Sequence, residues 1–158
     1  YGYLTGYGSS TDAFHITAPS VGGVGASNAM NAALKDANLD ADKIDYLNAH
    51  GTSTKMNDAT ETLAIKNSFG PSAETVAISS TKSMVGHLLG GAGAFESMVC
   101  LMSIKDGIVP PTINLDNPDE ECDLNYTPIN SIEKNINYAM TNSFGFGGHN
   151  AVLIFSKN

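Results

Sequence analysis

Apolar and polar positions in the first third of the chain predict a strand, a helix and a second strand. Residues 1–8 alternate aromatic or aliphatic side chains with Gly and Thr, which is a strand pattern. Small apolar residues recur at helical spacing over 25–37 and predict an amphipathic helix. A short apolar run at 44–49 predicts a buried strand, and a polar loop follows it at 50–57.

The alternation continues through the middle of the chain. Asp58 with Glu61 three residues later resembles a capping box and predicts a helix from about 58 to 69. Residues 75–80 predict a second buried strand, and residues 87–105 predict a long helix. Several glycines lie near the start of that helix. Because glycine costs about 1 kcal/mol in a helix interior, we expect another backbone to pack closely there.

Two strands joined by a Gly-rich turn complete the pattern. Residues 137–142 predict one strand, 143–148 predict the turn, and 151–155 predict a last strand with little room for a solvent-facing side. Short apolar strands that alternate with helices indicate an α/β fold with a mostly parallel sheet.

Composition and charge narrow the classes of function. The 158 residues suffice for one domain with a hydrophobic core, and the formal net charge is −8. All eight basic residues are Lys. An acidic surface argues against nucleic acid as a partner, because phosphate binding needs clustered basic residues. The apolar runs are too short for a bilayer and no signal-peptide layout is present, so we expect no membrane partner.

Two histidines are the first candidates for chemistry. His50 directly follows the predicted strand at 44–49, and His87 follows the strand at 75–80 after one loop. Open α/β sheets bind ligands beyond the carboxyl ends of their strands, where these two side chains can converge. A single histidine is more often structural. A pair of histidines in turns of small residues, which let a ligand approach, favours an active site.

Lys82 and Glu96 are charged residues in small or apolar surroundings. Lys82 lies among hydroxyl-bearing residues at the end of a buried strand, and Glu96 lies on the apolar helix after His87. A buried carboxylate needs a partner, and Lys82 is the candidate. The spacing alone leaves a second alternative, in which Glu96 is exposed on one face of its helix.

The Gly-rich turn at 143–148 places Phe146 between two glycines. A backbone N–H in such a turn can face a developing oxyanion. The alternative is an ordinary hairpin with a hydrophobic tip. Both cysteines are predicted to be structural, because Cys100 lies mid-helix among apolar residues and Cys122 lies in an acidic loop that raises the pKa of a thiol.

Four segments together resemble the C-terminal half of a β-ketoacyl-[acyl-carrier-protein] synthase of the KAS I/II type. They are NAHGTST at 48–54, STKSMVGHLLG at 80–90, VPPTINL at 109–115 and NSFGFGG at 142–148. The resemblance covers essentially the whole chain. It implies a thiolase-like fold, in which this chain is one α/β/α-type repeat of a five-layered α-β-α-β-α sandwich. It also implies that residues 1–9 are the last strand of a missing N-terminal half and that residues 10–158 form the C-terminal domain.

The family reaction is fatty-acid elongation by decarboxylative Claisen condensation. An acyl group moves from acyl carrier protein to a cysteine, and the carbanion formed from malonyl-carrier then attacks it. The resemblance assigns that cysteine to the N-terminal half, and neither Cys100 nor Cys122 matches it. We therefore expect an acyltransferase whose fragment, taken alone, is inactive.

The resemblance also implies roles for individual residues. His50 and His87 would bind the malonyl thioester oxygen and stabilise the enolate, while Lys82 would order the site and interact with Glu96. Phe146 would gate access to the cysteine, and its N–H would help to form the oxyanion hole. The phosphopantetheine channel would be lined by Thr17, Thr52 and Thr54. No organic cofactor is implied, and a structural monovalent cation would be held near Asn48 and Glu96.

The implied partners are acyl carrier protein with its phosphopantetheine-bound acyl groups, the N-terminal half of the protein and a second copy in a homodimer. We expect a bacterial cytoplasm or a plastid-like organelle as the compartment. Two alternatives share the resemblance: a non-catalytic subunit similar to a chain-length factor, and a polyketide ketosynthase domain. Chain-length-factor subunits have usually lost active-site residues, so the presence of His50, Lys82 and His87 favours the enzyme.

Overall fold

The structure is a computed structural model that describes residues 1–158 and contains seven strands and four α-helices. The strands are β1 (Tyr3–Thr11), β2 (Tyr46–Asn48), β3 (Ala77–Ser79), β4 (Ile108–Val109), β5 (Ile132–Glu133), β6 (Tyr138–Gly145) and β7 (His149–Ser156). The helices are α1 (Val24–Ala37), α2 (Lys55–Phe69), α3 (Lys82–Val85) and α4 (Ala92–Asp106). The predicted alternation of strands and helices is confirmed. No helix is both long and apolar enough to cross a bilayer.

Five strands form one sheet in the order β1-β7-β6-β2-β3. β2 runs parallel to β3 and to β6, while β7 runs antiparallel to β6 and to β1. Four strands therefore share one direction, and β7 alone opposes them. Because β7 lies between β1 and β6, two of the four pairings are antiparallel, so the sheet is mixed and the prediction of a mostly parallel sheet is corrected. The carboxyl ends of β2 and β3 lie side by side at one edge of the sheet, and the segments that carry the two histidines leave from that edge. β4 and β5 form a separate two-stranded sheet that the sequence pattern did not predict.

β1 belongs to the sheet of this chain. It pairs with β7 from Tyr3 opposite Ser156 to Thr11 opposite His149. The expectation that residues 1–9 complete the sheet of a preceding half is therefore corrected, because alternation along a strand does not reveal which strand it pairs with. A side chain at Gly8 would clash with the carbonyl oxygen of Ala29, so glycine lets α1 lie directly on β1.

Helices cover both faces of the sheet and produce three layers. α1 and α2 pack on one face, in a core whose largest members include Met30, Leu47, Ile65, Ile78 and Ile154. α4 packs on the other face, where the core contains Tyr46, Cys100, Ile104, Val109 and Ile136. The α/β/α repeat predicted from the resemblance is confirmed by this layering.

The helix predicted over 87–105 is shorter than expected. α4 begins at Ala92, and residues 89–91 form a short 3-10 turn. Leu89 and Gly86 both have positive φ angles, of 53° and 74°, which a continuous α-helix does not allow. No atom lies within 4 Å of a side chain placed at Gly90, so the expected close backbone contact is not made within this chain.

Candidate active site

The end of β2 positions His50 in the core-facing part of the site. The N–H of Ala49 donates to the carbonyl of Ser79 on β3 (2.9 Å) and continues the parallel pairing one residue past the strand. The next two backbone donors, the N–H groups of His50 and Gly51, point to the carboxylate of Glu61 at 2.9 and 2.8 Å. The backbone around His50 is therefore fixed by hydrogen bonds on both sides.

The imidazole of His50 is held neutral. The residue is 5% exposed, and its Nδ1 atom has no hydrogen-bond partner. Burial lowers the pKa of His50 to about 3, and the charges of Lys82 and His87 act in the same direction. A neutral imidazole carries one N–H donor, which a substrate oxygen can accept.

His87 lies opposite His50, as the ends of adjacent parallel strands predict. The ring centroids are 5.5 Å apart, and the ring planes meet at 84°. The Nδ1 atom of His87 accepts a hydrogen bond from the N–H of Leu89 (3.1 Å), so the proton of the neutral ring is on Nε2. His87 is exposed, in contrast to His50.

The loops that carry the two histidines touch each other at Gly51. The Ser80 hydroxyl donates to the carbonyl of Gly51 (2.7 Å), and the amide of Asn48 donates to the hydroxyl of Thr81 (3.2 Å). Gly51 has a φ of +40°, and a side chain there would lie 2.5 Å from the Cβ of Ser80. Only glycine allows this approach, which keeps the two loops together.

Lys82 and Glu96 form a buried ion pair. The Nζ of Lys82 donates to Oε1 of Glu96, and the two side chains are 5% and 2% exposed. Of the two alternatives that spacing left open, the ion pair is confirmed and the exposed Glu96 is wrong. Burial raises the pKa of Glu96, Lys82 opposes that rise, and the negative charge of Glu61 adds to it.

Glu61 is the site residue that the sequence reasoning missed. It was assigned to a capping box, but α2 begins at Lys55 with Thr54 as its N-cap, so Glu61 lies in the second turn. It is 3% exposed and also accepts a hydrogen bond from the Asn142 amide (3.0 Å). One signal pointed to it: Glu61 lies one turn before Ile65, which is buried on the same side of the helix.

Phe146 lies at the tip of the β6–β7 hairpin and is 78% exposed. Its turn is tied to the loop that carries Thr17, because the Gly147 N–H donates to the Ile16 carbonyl (2.6 Å). The carboxylate of Asp12 fastens this loop further, since it accepts hydrogen bonds from Ser20 and from the amide of Asn150, both at 2.7 Å. Thr17 itself is exposed. The structure thus joins the two predicted residues through their backbones rather than by direct contact.

A cavity of about 430 Å³ opens between the two histidine loops. Its wall includes Thr52, Glu61, Lys82 and His87, together with residues of a later loop. The hydroxyls of Thr52 and Thr54 lie 2.9 Å apart at the start of α2. The predicted channel residue Thr52 therefore faces the same space as three of the charged or titratable residues of the site.

Neither cysteine is suited to act as a nucleophile. Cys100 is completely buried, and its Sγ–H points to the carbonyl of Met140 (3.6 Å). Burial raises the pKa of both Cys100 and Cys122, and nearby carboxylates raise it further. Both thiols are therefore kept protonated, whereas a thiolate is the reactive form.

The three-layered α/β fold and the family match together place the chain in the β-ketoacyl synthase family. The sequence profile of the β-ketoacyl synthase C-terminal domain matches residues 1–116. The resemblance inferred from the four segments is confirmed by this match.

The most informative relatives are two bacterial enzymes named 3-oxoacyl-[acyl-carrier-protein] synthase 2. The chain is 54% identical to the one from Synechocystis and 53% identical to the one from Staphylococcus aureus, in each case over 157 residues. These matches cover 99% of this chain but 38% of each relative. The chain thus spans little more than a third of the length of the proteins it matches.

Solved structures agree with the fold. A type II polyketide ketosynthase solved with its acyl-carrier protein matches all of this chain and 39% of its own, with a TM-score of 0.97 and 39% identity. A β-ketoacyl synthase from Burkholderia phymatum matches 99% of this chain and 38% of its own, with a TM-score of 0.93 and 40% identity. The predicted thiolase-like fold class is confirmed.

Proposed function

We propose that this chain supplies the decarboxylating part of a fatty-acid condensing enzyme. The observation that carries the proposal is the pair of imidazoles, His50 and His87, whose rings arrive from separate loops at a centroid distance of 5.5 Å. Two relatives more than 50% identical over almost the whole chain are 3-oxoacyl-carrier synthases by name, which supports the same reaction.

Loss of CO₂ from a malonyl thioester creates charge that the histidines are suited to stabilise. The electron pair of the breaking C–C bond moves towards the thioester, and its oxygen becomes an enolate. N–H donors of His50 and His87 that converge on this oxygen bind it more strongly as the charge grows, which lowers the barrier selectively. Because His50 is kept neutral and both loops are already fastened, little rearrangement is needed during the reaction.

The remaining predicted residues surround this step. Lys82, neutralised by Glu96, orders the cavity beside His87. Phe146 at its exposed hairpin tip gates access to the nucleophile, and its N–H contributes to the oxyanion hole. The phosphopantetheine arm of the carrier passes Thr17, Thr52 and Thr54.

A monovalent cation fits beside Asn48 and Glu96. Oε2 of Glu96 and Oδ1 of Asn142 are buried without hydrogen-bond partners, and Glu61 adds a second buried carboxylate close enough to raise the pKa of Glu96. Such oxygens are ligands that hard cations prefer. We expect potassium chloride to raise the melting temperature more than tetramethylammonium chloride at equal ionic strength, and Glu96→Gln to abolish the difference. Equal effects of the two salts would contradict the site.

Apolar surface on α4 supports a further partner, the N-terminal half. Met98 and Met102 are 58% and 42% exposed on one side of α4, while Cys100 and Ile104 are buried on the other. A helix that is apolar on both sides suits the middle of a layered sandwich. The N-terminal half would cover this side of α4 and provide the nucleophilic cysteine. The complete protein would be a homodimer that accepts acyl groups from carrier protein. Its compartment would be a bacterial cytoplasm or a plastid-like organelle. We expect the 158-residue chain alone to be inactive.

The experiment that tests the function joins this chain to the N-terminal region of the Synechocystis relative. The chimera should release CO₂ from malonyl-carrier and condense the remaining carrier-bound carbanion with the acyl group of an acyl-carrier. His50→Ala combined with His87→Ala should abolish both activities, while His149→Ala, at an exposed position of β7, should leave them intact. Full activity in the double variant would refute the assignment.

Two neighbouring functions share this fold. A ketosynthase solved with its chain-length factor matches 98% of this chain at 39% identity, and a polyketide ketosynthase matches at the same identity. The intact His50, Lys82 and His87 favour a catalytic subunit over a chain-length factor. Comparing saturated acyl-carriers with β-ketoacyl-carriers as substrates of the chimera separates fatty-acid from polyketide elongation.

A further inference from the structure

The cavity beside Lys82 and His87 is bounded by a loop to which the proposed chemistry assigns no residue. This loop, residues 112–127, is called the strap here, and it contributes Thr112, Ile113 and Tyr126 to the cavity wall. The base of the strap is closed by a hydrogen bond from the Thr112 N–H to the Thr127 carbonyl (2.9 Å).

Thr112 joins the strap to the segment that carries Lys82 and His87. Its hydroxyl accepts a hydrogen bond from the Ser80 N–H (3.0 Å) and donates one to the carbonyl of Tyr126 (2.7 Å). Ser80 is the first residue after β3, so Thr112 takes the first backbone donor beyond the end of that strand. The hydroxyl acts both as acceptor and as donor, and in that way it bridges two pieces of backbone.

Ser83 provides a second tie between the same two segments. Its hydroxyl donates to the carbonyl of Ser80 (2.8 Å) and accepts from the N–H of Ile113 (3.0 Å). α3, which carries Ser83, is only four residues long. A single helical turn is not stable by itself, so its position depends on contacts of this kind.

Apart from these ties, the segment before His87 is anchored by the Lys82–Glu96 ion pair and by the bonds of Ser80 and Thr81 to the β2 side. His87 itself has few other means of holding its position. The ring is exposed, and Gly86 before it has a φ of +74°. The backbone N–H groups of residues 83–86 all donate to carbonyls of residues 80–82, so they stabilise the segment internally without anchoring it. The base of the strap is itself fixed to α2, because the phenol of Tyr126 bonds to the hydroxyl of Thr62 on α2 (2.5 Å).

We propose that Thr112 is a positioning residue, whose hydroxyl holds the Lys82–His87 segment at the distance from His50 that enolate stabilisation requires. α2 carries Glu61 and so fixes the His50 loop. The strap connects this same helix to the Lys82–His87 segment, so both histidines are held relative to α2. The role rests on the proposed function, but the position of the His87 ring is measurable without it.

The kinetic test uses the Synechocystis chimera with Thr112→Val, Thr112→Ser and Thr127→Val. Thr127 is a matched control, because it is buried at the end of the same strap and its hydroxyl has no partner. We expect Thr112→Val to lower kcat for malonyl-carrier decarboxylation about 10- to 100-fold with little change in KM, since small misplacements of a catalytic group have effects of this size. Thr112→Ser should restore most of the activity, and Thr127→Val should match the wild type.

The spectroscopic test uses the 158-residue chain with ¹⁵N-labelled histidines. Thr112→Val should shift the ring signals of His87 and leave those of His15 and His149 in place, whereas Thr127→Val should shift none of them. This readout separates a loss of positioning from a general loss of stability, which would change every signal together.

The outcomes separate the two proposals. If Thr112→Val matches Thr127→Val in kcat and leaves the His87 signals unchanged, the positioning role is wrong. If Thr112→Val does not fold, the test uses Ser83→Ala, which removes only the second tie. This variant should lower kcat and shift the His87 ring signals. The absence of both effects overturns the proposal. A wild-type chimera without decarboxylase activity contradicts the proposed function, while the His87 signals still decide the role of Thr112.

Discussion

The two histidines face each other, yet the chain holds them in different ways. His50 is 5% exposed, and its loop is fastened to the buried carboxylate of Glu61. His87 is exposed, and its neighbours Leu88 and Leu89 are 42% and 77% exposed. The His50 ring is thus enclosed by the core of this chain, whereas the His87 ring is exposed and its segment is held by partly buried hydroxyl ties and by the Lys82–Glu96 ion pair.

The difference in exposure shows which side of the site this chain buries by itself and which side it leaves open to solvent. Large apolar side chains are rarely left in a group at the surface of a finished protein, and Met84 and Val85 join the exposed leucines near His87. The N-terminal half proposed above would cover the His87 side, whereas this chain by itself already buries His50.

Removing Glu61 should break the His50 side most severely. Glu61→Ala leaves three donors without an acceptor, the buried ones on His50 and Asn142 and the partly buried one on Gly51. We expect the free energy of unfolding to fall by about 5 kcal/mol in urea titrations, because each lost bond to a charged group is worth about 1.5–3 kcal/mol. Glu74→Ala, at an exposed position, is the control. A loss no larger than the control would show that the carboxylate does not hold the loop.

Lys82→Met should break the His87 side at its buried ion pair. The change leaves the Glu96 carboxylate buried without its partner, and removing one member of a buried pair costs about 3–5 kcal/mol. The double variant Lys82→Met with Glu96→Gln should recover part of that loss in the same urea titrations. A double variant as unstable as the single one would contradict the pairing.

The pH dependence of stability should sharpen the contrast. The pKa of His50 is about 3 in the folded chain and near 6.5 when unfolded, so the unfolded state binds the proton more readily. Stability from His50 is therefore present above pH 6.5 and is lost as pH falls towards 3. We expect the difference in unfolding free energy between wild type and His50→Ala to shift by about 3 kcal/mol against the wild type between pH 7 and pH 4.

The carboxylates titrate in the wild type and in His50→Ala alike, so their contributions largely cancel in the difference in unfolding free energy. A constant difference across this range would mean that His50 is not buried as a neutral ring.

The smallest effect is expected at His87. His87→Ala should change the free energy of unfolding by less than about 0.5 kcal/mol, because an exposed side chain contributes little to stability. His50→Ala should cost clearly more in the same thermal or urea unfolding experiment. Equal losses at the two positions would remove the distinction drawn between the two sides.

Much of the architecture could be predicted from local patterns. The order of the main strands and helices, the parallel pairing of β2 with β3 and the arrival of His50 and His87 at one edge follow from short apolar runs and their spacing. The pairing of Lys82 with Glu96 was one of two alternatives, and it follows from the cost of burying an unpaired carboxylate.

Other features depended on contacts between distant residues. The start of α4 was misplaced because local spacing fits a helix through His87, while the positive φ of Leu89 and Gly86 excludes one. β1 was assigned to the wrong sheet because its partner, β7, lies more than 130 residues away in the chain. Glu61 and Thr112 were overlooked because a polar residue near the start of a helix or in a loop ordinarily faces water.

The sequence by itself determined the family, the order of the layers and the identity of the paired histidines, since these depend on residue type and on spacing along the chain. Only the tertiary structure decided which polar groups are buried, that Glu61 fastens the His50 loop and that Thr112 ties the strap to the His87 side. The physical reason is that a backbone N–H left free by a strand end must find an acceptor in the folded chain. Which acceptor it finds depends on which segments the fold brings together.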